Sequence, residues 1–171
     1  EFAARIATAY DDMVHDPSDP AVQASYRAMI DETLAQYQVI KEMGYTIEMM
    51  REDMDAPYNI PRMALEDLAN NKHMWVYPTD FGYGPDASAA LDPATNPLLE
   101  FTEEVDVAGR PMRANDLFRA VHDFFGHGIE GTAFRGRGEE NAWQAHSRLY
   151  SKEALPAVTS ETRGQNSWAN Y

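Results

Sequence analysis

The chain has 171 residues, of which 44% are apolar and 11% aromatic, a composition typical of a folded globular protein. It contains no cysteine, which excludes disulfides, thiolate zinc sites and cysteine nucleophiles. A net charge of −14 argues against general binding to nucleic-acid phosphates, and no apolar run reaches the ~20 residues of a membrane span. We therefore expect a single cytoplasmic domain over residues 1–171 that binds neither nucleic acid nor membrane. The ends at Glu1-Phe2 and Tyr171 are compatible with a fragment of a longer polypeptide.

A long helix is the strongest feature of the N-terminal part. Residues 1–18 predict a short helix followed by a loop. Asp19 is then a good N-cap, and Pro20 suits the first helical position because its missing N–H would have no partner there. An apolar stripe at helical spacing continues from this point to Gly44, which predicts the end of the helix.

Two short strands are predicted next, separated by a helix. Residues 45–49 and 73–77 have strand-like character, and we expect the two strands to pair. The helix between them begins at Pro61 and is closed by Asn70-Asn71. Residues 79–99, rich in proline, glycine and aspartate, predict a long loop, and residues 100–112 predict a hairpin.

The stretch from Asn115 to Gly128 predicts a buried helix that carries a histidine. Asn115 is the expected N-cap, and apolar residues cover more than half of the helix circumference. Residues five apart diverge by about 140° on an intact α-helix. We therefore expect the helix to break at Gly126, so that His127 turns back towards His122. Two imidazoles would then reach one ion.

A second functional stripe is predicted on the helix over residues 139–150. Glu139, Trp143, His146 and Tyr150 share one face because residues three, four and seven apart superpose. This pattern is typical either of a functional surface or of a core face with polar tips.

Residues 151–164 predict the last helix. The elements together predict an α+β fold, mainly helical, with a small sheet packed on a helical core. We expect a metal site between the histidine-bearing helix and the last two helices.

Two imidazoles and one carboxylate on the same side of an ion form the facial ligand set of mononuclear non-haem iron(II) enzymes. A zinc hydrolase can use the same three ligands and hold an activated water in the open position. Spacing alone does not choose among the nearby carboxylates, which are Asp123, Glu130, Glu139, Glu140, Glu153 and Glu161.

The segment His122-Asp123-Phe124-Phe125-Gly126-His127 resembles the His-Asp-x-Phe-Gly-His iron-binding segment of the pterin-dependent aromatic amino acid hydroxylases. Thr159-Ser160-Glu161-Thr162-Arg163-Gly164 is similar to the Thr-x-Glu-x-Gly-like stretch that supplies the third ligand in that family, with Gly164 one place late. The resemblance covers about a third of the chain and implies that His122, His127 and Glu161 bind iron. The separation between His127 and Glu161 is shorter than in the family, so only the metal ligands are carried over.

Other resemblances lead to different functions. His122-Asp123 followed by Gly126-His127 also resembles the HD-superfamily phosphohydrolases, which implies metal binding by His122 and Asp123, phosphate binding by arginines, and His73 as the upstream partner. The C-terminal third is similar to uncharacterised domains of phage-encoded proteins. A third class is a non-catalytic structural or interaction domain with a buried network of histidine and glutamate.

The sequence thus predicts a metal-dependent enzyme, most plausibly an iron(II) oxygenase, with zinc, manganese or magnesium as alternative ions. Glu139, Glu140, His146 and Asp123 are expected to orient ligands or move protons. We expect a small anionic substrate, because eight of the fourteen lysines and arginines lie between Arg110 and Arg163. The expected substrate contacts are Arg119, Arg135, Arg137, Trp143 and Tyr150.

Overall fold

The structure, a computed structural model, describes the chain in four stretches, residues 2–58, 60–86, 91–129 and 137–170. The helices are α1 (Phe2–Asp11), α2 (Pro20–Glu42), α3 (Pro61–Asn71), α4 (Ala114–His122), α5 (Arg137–His146), α6 (Leu155–Thr159) and α7 (Gln165–Asn170). The strands are β1 (Thr46–Met49), β2 (His73–Val76), β3 (Phe101–Val105) and β4 (Pro111–Arg113). The described residues thus form a mainly helical α+β fold, as predicted.

Shorter turns connect these elements. Two wide π-turns follow α4 and α6, at Asp123–Gly128 and Ser160–Gly164. Tight 3₁₀ turns occupy Thr79–Asp86, Pro97–Leu99 and Ser147–Leu149. The long loop expected over residues 79–99 is therefore partly helical where it is described. In the described stretches, none of the helices is both long enough and apolar enough to cross a membrane.

Helix α2 has the boundaries that the sequence predicts. The Asp19 carboxylate accepts hydrogen bonds from the backbone amides of Ala21 and Val22, and Pro20 opens the helix. The chain then leaves the helix at Gly44, whose φ of +81° suits a residue without a side chain. The local sequence therefore predicts both the N-cap at Asp19 and the end of the helix at Gly44.

Two small sheets flank the helical core. Strands β1 and β2 pair in parallel, with Thr46 opposite His73, because the helix α3 between them returns the chain to the same edge. Strands β3 and β4 form the predicted antiparallel hairpin, which turns at Gly109 with a φ of +82°. The buried Asp106 accepts hydrogen bonds from the amides of Met49 and Arg110, which ties the hairpin to β1.

Helix α4 lies between two apolar clusters and is buried on most sides. Leu117 and Val121 belong to the cluster under the β1–β2 sheet, whereas Ala114 and Phe118 belong to the cluster against α2 and α6. This position explains why apolar residues surround most of the helix.

The helix begins at Ala114, so the prediction that Asn115 is its N-cap was wrong. Asp116 performs the task instead, since its carboxylate accepts from the amides of Arg113 and Thr79 and from the Thr79 hydroxyl.

Candidate metal centre

The two histidines of the predicted pair are brought together by a π-turn. The expectation that the helix breaks at Gly126 was wrong, because the chain continues in the wider Asp123–Gly128 turn, where the Ile129 amide donates to the Phe124 carbonyl at 2.8 Å. Hydrogen bonds from residue i+5 to residue i place residues five apart on nearly the same side. The His122 and His127 rings accordingly meet edge to face, with centroids 5.1 Å apart.

The glycines of this turn permit close packing rather than a left-handed backbone. A Cβ on Gly126 would lie 3.1 Å from the Cβ and the carbonyl oxygen of Ala142 in α5. A Cβ on Gly128 would lie 2.7 Å from a methyl group of Leu68 in α3. Neither glycine has a positive φ. The small size of Gly126 therefore lets α5 lie directly against the π-turn, and that of Gly128 does the same for α3.

Helix α5 presents a carboxylate to both imidazoles. Glu139 Oε2 lies 3.6 Å from His122 Nε2 and 3.3 Å from His127 Nε2. Burial raises the pKa of Glu139, but hydrogen bonds and positive charge from the two histidines outweigh it and lower that pKa to about 2. Glu139 is therefore ionised at neutral pH and offers an anionic oxygen between two ring nitrogens.

Asp123 adds a second carboxylate to the cluster. His122, Asp123 and His127 each offer a donor atom, and these atoms lie within 4.8 Å of one another. Burial raises the pKa of Asp123, and the Glu139 charge raises it further, whereas the nearby histidines and Arg119 lower it. Asp123 and Glu139 thus each lie beside the same two imidazoles, and either carboxylate together with the two histidines is a donor set that suits a divalent cation.

His146 fixes the orientation of His122. Gln36 places its amide nitrogen towards the Leu149 carbonyl, so its Oε1 faces His146 Nε2 at 3.0 Å and accepts a hydrogen bond from it. The Nδ1 atom of His146 then carries a lone pair, which accepts from His122 Nδ1 at 3.2 Å. The other nitrogen, Nε2, faces Glu139: it donates to that carboxylate when His122 is protonated, and it presents a lone pair for a metal ion when the imidazole is neutral.

The electrostatic environment supports this proton arrangement. Burial lowers the pKa of His146 well below its ordinary value, and the adjacent His122 and His127 lower it further. His146 is therefore neutral, as its role of donor on one nitrogen and acceptor on the other requires. Sequence had suggested His146 as an orienting residue, and the structure places it in contact with His122.

A cavity of about 340 Å³ opens beside the cluster. His122, Asp123 and Glu139 line one part of it, and Arg119 and Glu161 line another. Arg119 Nη1 donates to the Tyr77 carbonyl at 3.0 Å, which holds the guanidinium near the cavity. The cavity is large enough for a small molecule next to the four donor residues.

Glu161 faces this cavity from the second π-turn. Its Oε1 accepts from the Tyr26 hydroxyl at 2.5 Å and from the Asn96 amide at 3.1 Å. Burial raises its pKa, and these two hydrogen bonds only partly oppose the rise. Glu161, like Glu139, is not a member of the donor group that His122, Asp123 and His127 form among the described residues.

Several other residues proposed from the sequence have contacts away from the cavity. Glu140 forms a two-pronged ion pair with Arg163 at 2.6 and 2.8 Å, and that guanidinium stacks over Trp143 at 4.2 Å. The Tyr150 hydroxyl bonds to Thr33 at 2.8 Å. These three predicted side chains do not line the described cavity, since each is used in packing between helices.

The remaining expectations concern the loop before α5 and the upstream histidine. Glu130 and Arg135 lie outside the described residues, and Arg137 opens α5. His73 pairs with Asp67 at 2.8 Å and does not belong to the described donor group of His122.

Sequence reasoning missed the residues contributed by α2 and by the loop before β3. Gln36, Tyr26 and Asn96 all contact proposed site residues, yet each is distant from them in the chain. Gln36 and Tyr26 belong to the inner half of an ordinary amphipathic helix pattern, so nothing local distinguished them.

The chain matches no family model, no curated protein and no solved structure. Its function is therefore inferred from the chemistry of the site.

Proposed function

We propose that the protein is a metal-dependent enzyme in which His122, His127 and Glu139 hold a divalent ion, with Asp123 beside them. The observation that carries the proposal is the position of Glu139 Oε2, within 3.6 Å of both Nε2 atoms. Ligand bonds of ~2.1 Å place donor atoms about 3 Å apart around an ion, so only small side-chain movements are needed.

Glu139 is preferred to Glu161 as the carboxylate ligand. Glu139 already faces both imidazoles, whereas the described hydrogen bonds of Glu161 engage it with Tyr26 and Asn96 on another wall of the cavity. The resemblance to the hydroxylases favours Glu161, so the two carboxylates are compared directly in the experiment below.

The donor set favours iron(II). Two neutral imidazoles and a carboxylate on one side of the ion leave positions for oxygen and substrate, and an iron bound there supplies oxygen-activating redox chemistry. The protein's own residues prepare the site: His146 directs the His122 lone pair, Glu139 supplies negative charge, and Arg119 offers a cation in the cavity. Phe118, Leu98 and Leu99 line the cavity with apolar surface that limits water.

A metal-dependent phosphohydrolase is the second candidate. The grouping of Asp123 with His122 favours it, because adjacent histidine and aspartate ligands are what the HD-type resemblance implies. Arg119 in the cavity would suit a phosphate group. Oxygen consumption with iron(II) supports the first candidate, and phosphate release with manganese or magnesium supports the second.

The experiment measures metal content and affinity in protein purified without a histidine tag. Wild type should bind about one ion per chain, and His122→Ala and Glu139→Gln should each lose at least about tenfold in affinity. Glu153→Gln, an exposed carboxylate of the same type, is the matched control and should bind like wild type. Loss of the metal in Glu161→Gln with retention in Glu139→Gln would reassign the third ligand. Equal affinity in wild type and His122→Ala would refute the metal site.

A further inference from the structure

A second cavity, of about 570 Å³, adjoins the metal cavity. Asn96, Glu161 and Gln165 line both, so they form a shared wall. The volume lies within the range of small-molecule sites.

The second cavity has an apolar mouth. Met13, Val14 and Val22 line it, and their exposed fractions are 52%, 89% and 37%. Pro156 and Ala157 continue the apolar lining inward. Exposed apolar side chains gathered around one opening are typical of a binding surface.

The polar end of this cavity is Glu161. Both hydrogen bonds that the described residues give to its carboxylate go to Oε1, from Tyr26 and Asn96. None of the described hydrogen bonds goes to the other oxygen, Oε2, and Glu161 lines both cavities. Burial raises the pKa of Glu161, and none of the groups that influence it is a cation. A partly buried carboxylate whose described partners, Tyr26 and Asn96, are both neutral can accept a further hydrogen bond at Oε2 from a cationic ligand.

The charged residues that line the cavity favour a positively charged ligand. Asp16 and Glu161 are the acids of the described lining, which contains His15 but no lysine or arginine. A carboxylate or phosphate would therefore face two acids and no lysine or arginine among the described lining residues. A protonated amine or a guanidinium would meet Glu161 and can donate to Oε2.

We infer that the second cavity binds a primary amine or guanidinium carried on an apolar chain, with the cation on Glu161 and the chain against the apolar mouth. This goes beyond the proposed metal site and does not depend on it. It concerns a different cavity from the one lined by Arg119, where an anionic substrate remains the expectation.

The test uses n-hexylamine, n-hexanol and hexanoate as ligands of equal chain length. Binding is measured by calorimetry and by changes in the NMR spectrum, on chelator-treated chain and on chain with added iron(II). We expect hexylamine to bind at least about tenfold more tightly than hexanol, because a hydrogen bond to a charged group contributes more than a neutral one. Hexanoate should bind most weakly. Equal binding of all three would overturn the inference.

Three variants separate the parts of the site. Glu161→Gln should lose at least about tenfold in hexylamine affinity and keep its hexanol affinity. Asp12→Asn removes the same charge from an exposed residue outside the cavity lining and should bind hexylamine like wild type. Val22→Trp fills the mouth and should weaken all three ligands.

The outcomes distinguish this inference from the metal proposal. Loss of the metal together with the amine in Glu161→Gln would make Glu161 a metal ligand and would overturn the inference. Unchanged hexylamine binding in Glu161→Gln would overturn it as well. Absence of metal binding in wild type, with the expected amine results, would refute only the metal proposal.

Discussion

Replacement of Gln36 by leucine tests whether helix α2 influences the proposed metal site. Gln36 contacts no proposed ligand. It accepts a hydrogen bond from His146 Nε2 at 3.0 Å, and His146 in turn accepts from His122. Leucine has similar length but no acceptor, so His146 loses the partner that fixes which of its nitrogens carries the proton.

The magnitude follows from the burial of His146, which is 1% exposed. A buried donor without an acceptor costs about 1–3 kcal/mol, so the free energy of unfolding should fall by that amount. Loss of a group that orients a ligand lowers metal affinity by about 10–100-fold. Because Gln36 acts one hydrogen bond further out, we expect about tenfold, equivalent to ~1.4 kcal/mol.

The assay combines a competition titration against a chelator with urea unfolding of the metal-free chain. Gln36→Glu keeps an acceptor and should retain wild-type metal affinity. Gln23→Leu makes the same change elsewhere on α2 and should alter neither quantity by much. Wild-type metal affinity in Gln36→Leu, despite lower stability, would refute the orienting role of His146.

Three further predictions concern stability and packing. Asp116→Ala should lower the free energy of unfolding by about 2–4 kcal/mol, because two amides and a hydroxyl lose their acceptor; denaturant titration measures it, and a loss below about 1 kcal/mol would contradict the capping role. Burial raises the pKa of Glu161 above its ordinary 4.5, so the folded state holds that proton more tightly. The contribution of Glu161 to the free energy of unfolding is complete below pH 4.5, and it is lost as the pH rises through the pKa of the folded state. Glu161→Gln should therefore melt above wild type at neutral pH, and the gap should close in acid; a gap independent of pH would count against the shift. Gly126→Ala should cost about 1–3 kcal/mol and weaken metal binding, since its Cβ meets α5 backbone. Gly82→Ala, whose Cβ has only an ordinary contact at 3.8 Å, is the control, and equal effects in both would refute the packing argument.

The parts of the fold that were predictable from sequence depend on local signals. The cap at Asp19, the stop at Gly44 and the hairpin turn at Gly109 each follow from the backbone preferences of one or two residues. The start of α4 was misplaced because its cap, Asp116, also binds Thr79, a contact between residues far apart in the chain. The backbone preferences of neighbouring residues cannot predict such a contact.

The candidate site was predictable to a similar extent. Helical spacing placed Glu139 and His146 on one face, and both contact His122 in the structure. The proximity of His122 and His127 was predicted, but the predicted cause was a break in the helix, whereas the structure has a π-turn. The π-turn here packs against Ala142 of α5 through Gly126, and sequence periodicity does not reveal which helix will lie there.

The wide turn at residues 123–128 makes the site sensitive to chain length. A π-turn accommodates one more residue than the α-helical path that it replaces. Deletion of a single residue there would let an ordinary helix form, which would rotate one imidazole away from the other while the apolar seam of α4 stayed in place. Deletion of one residue would thus separate the two proposed metal ligands while leaving the packing of α4 unchanged.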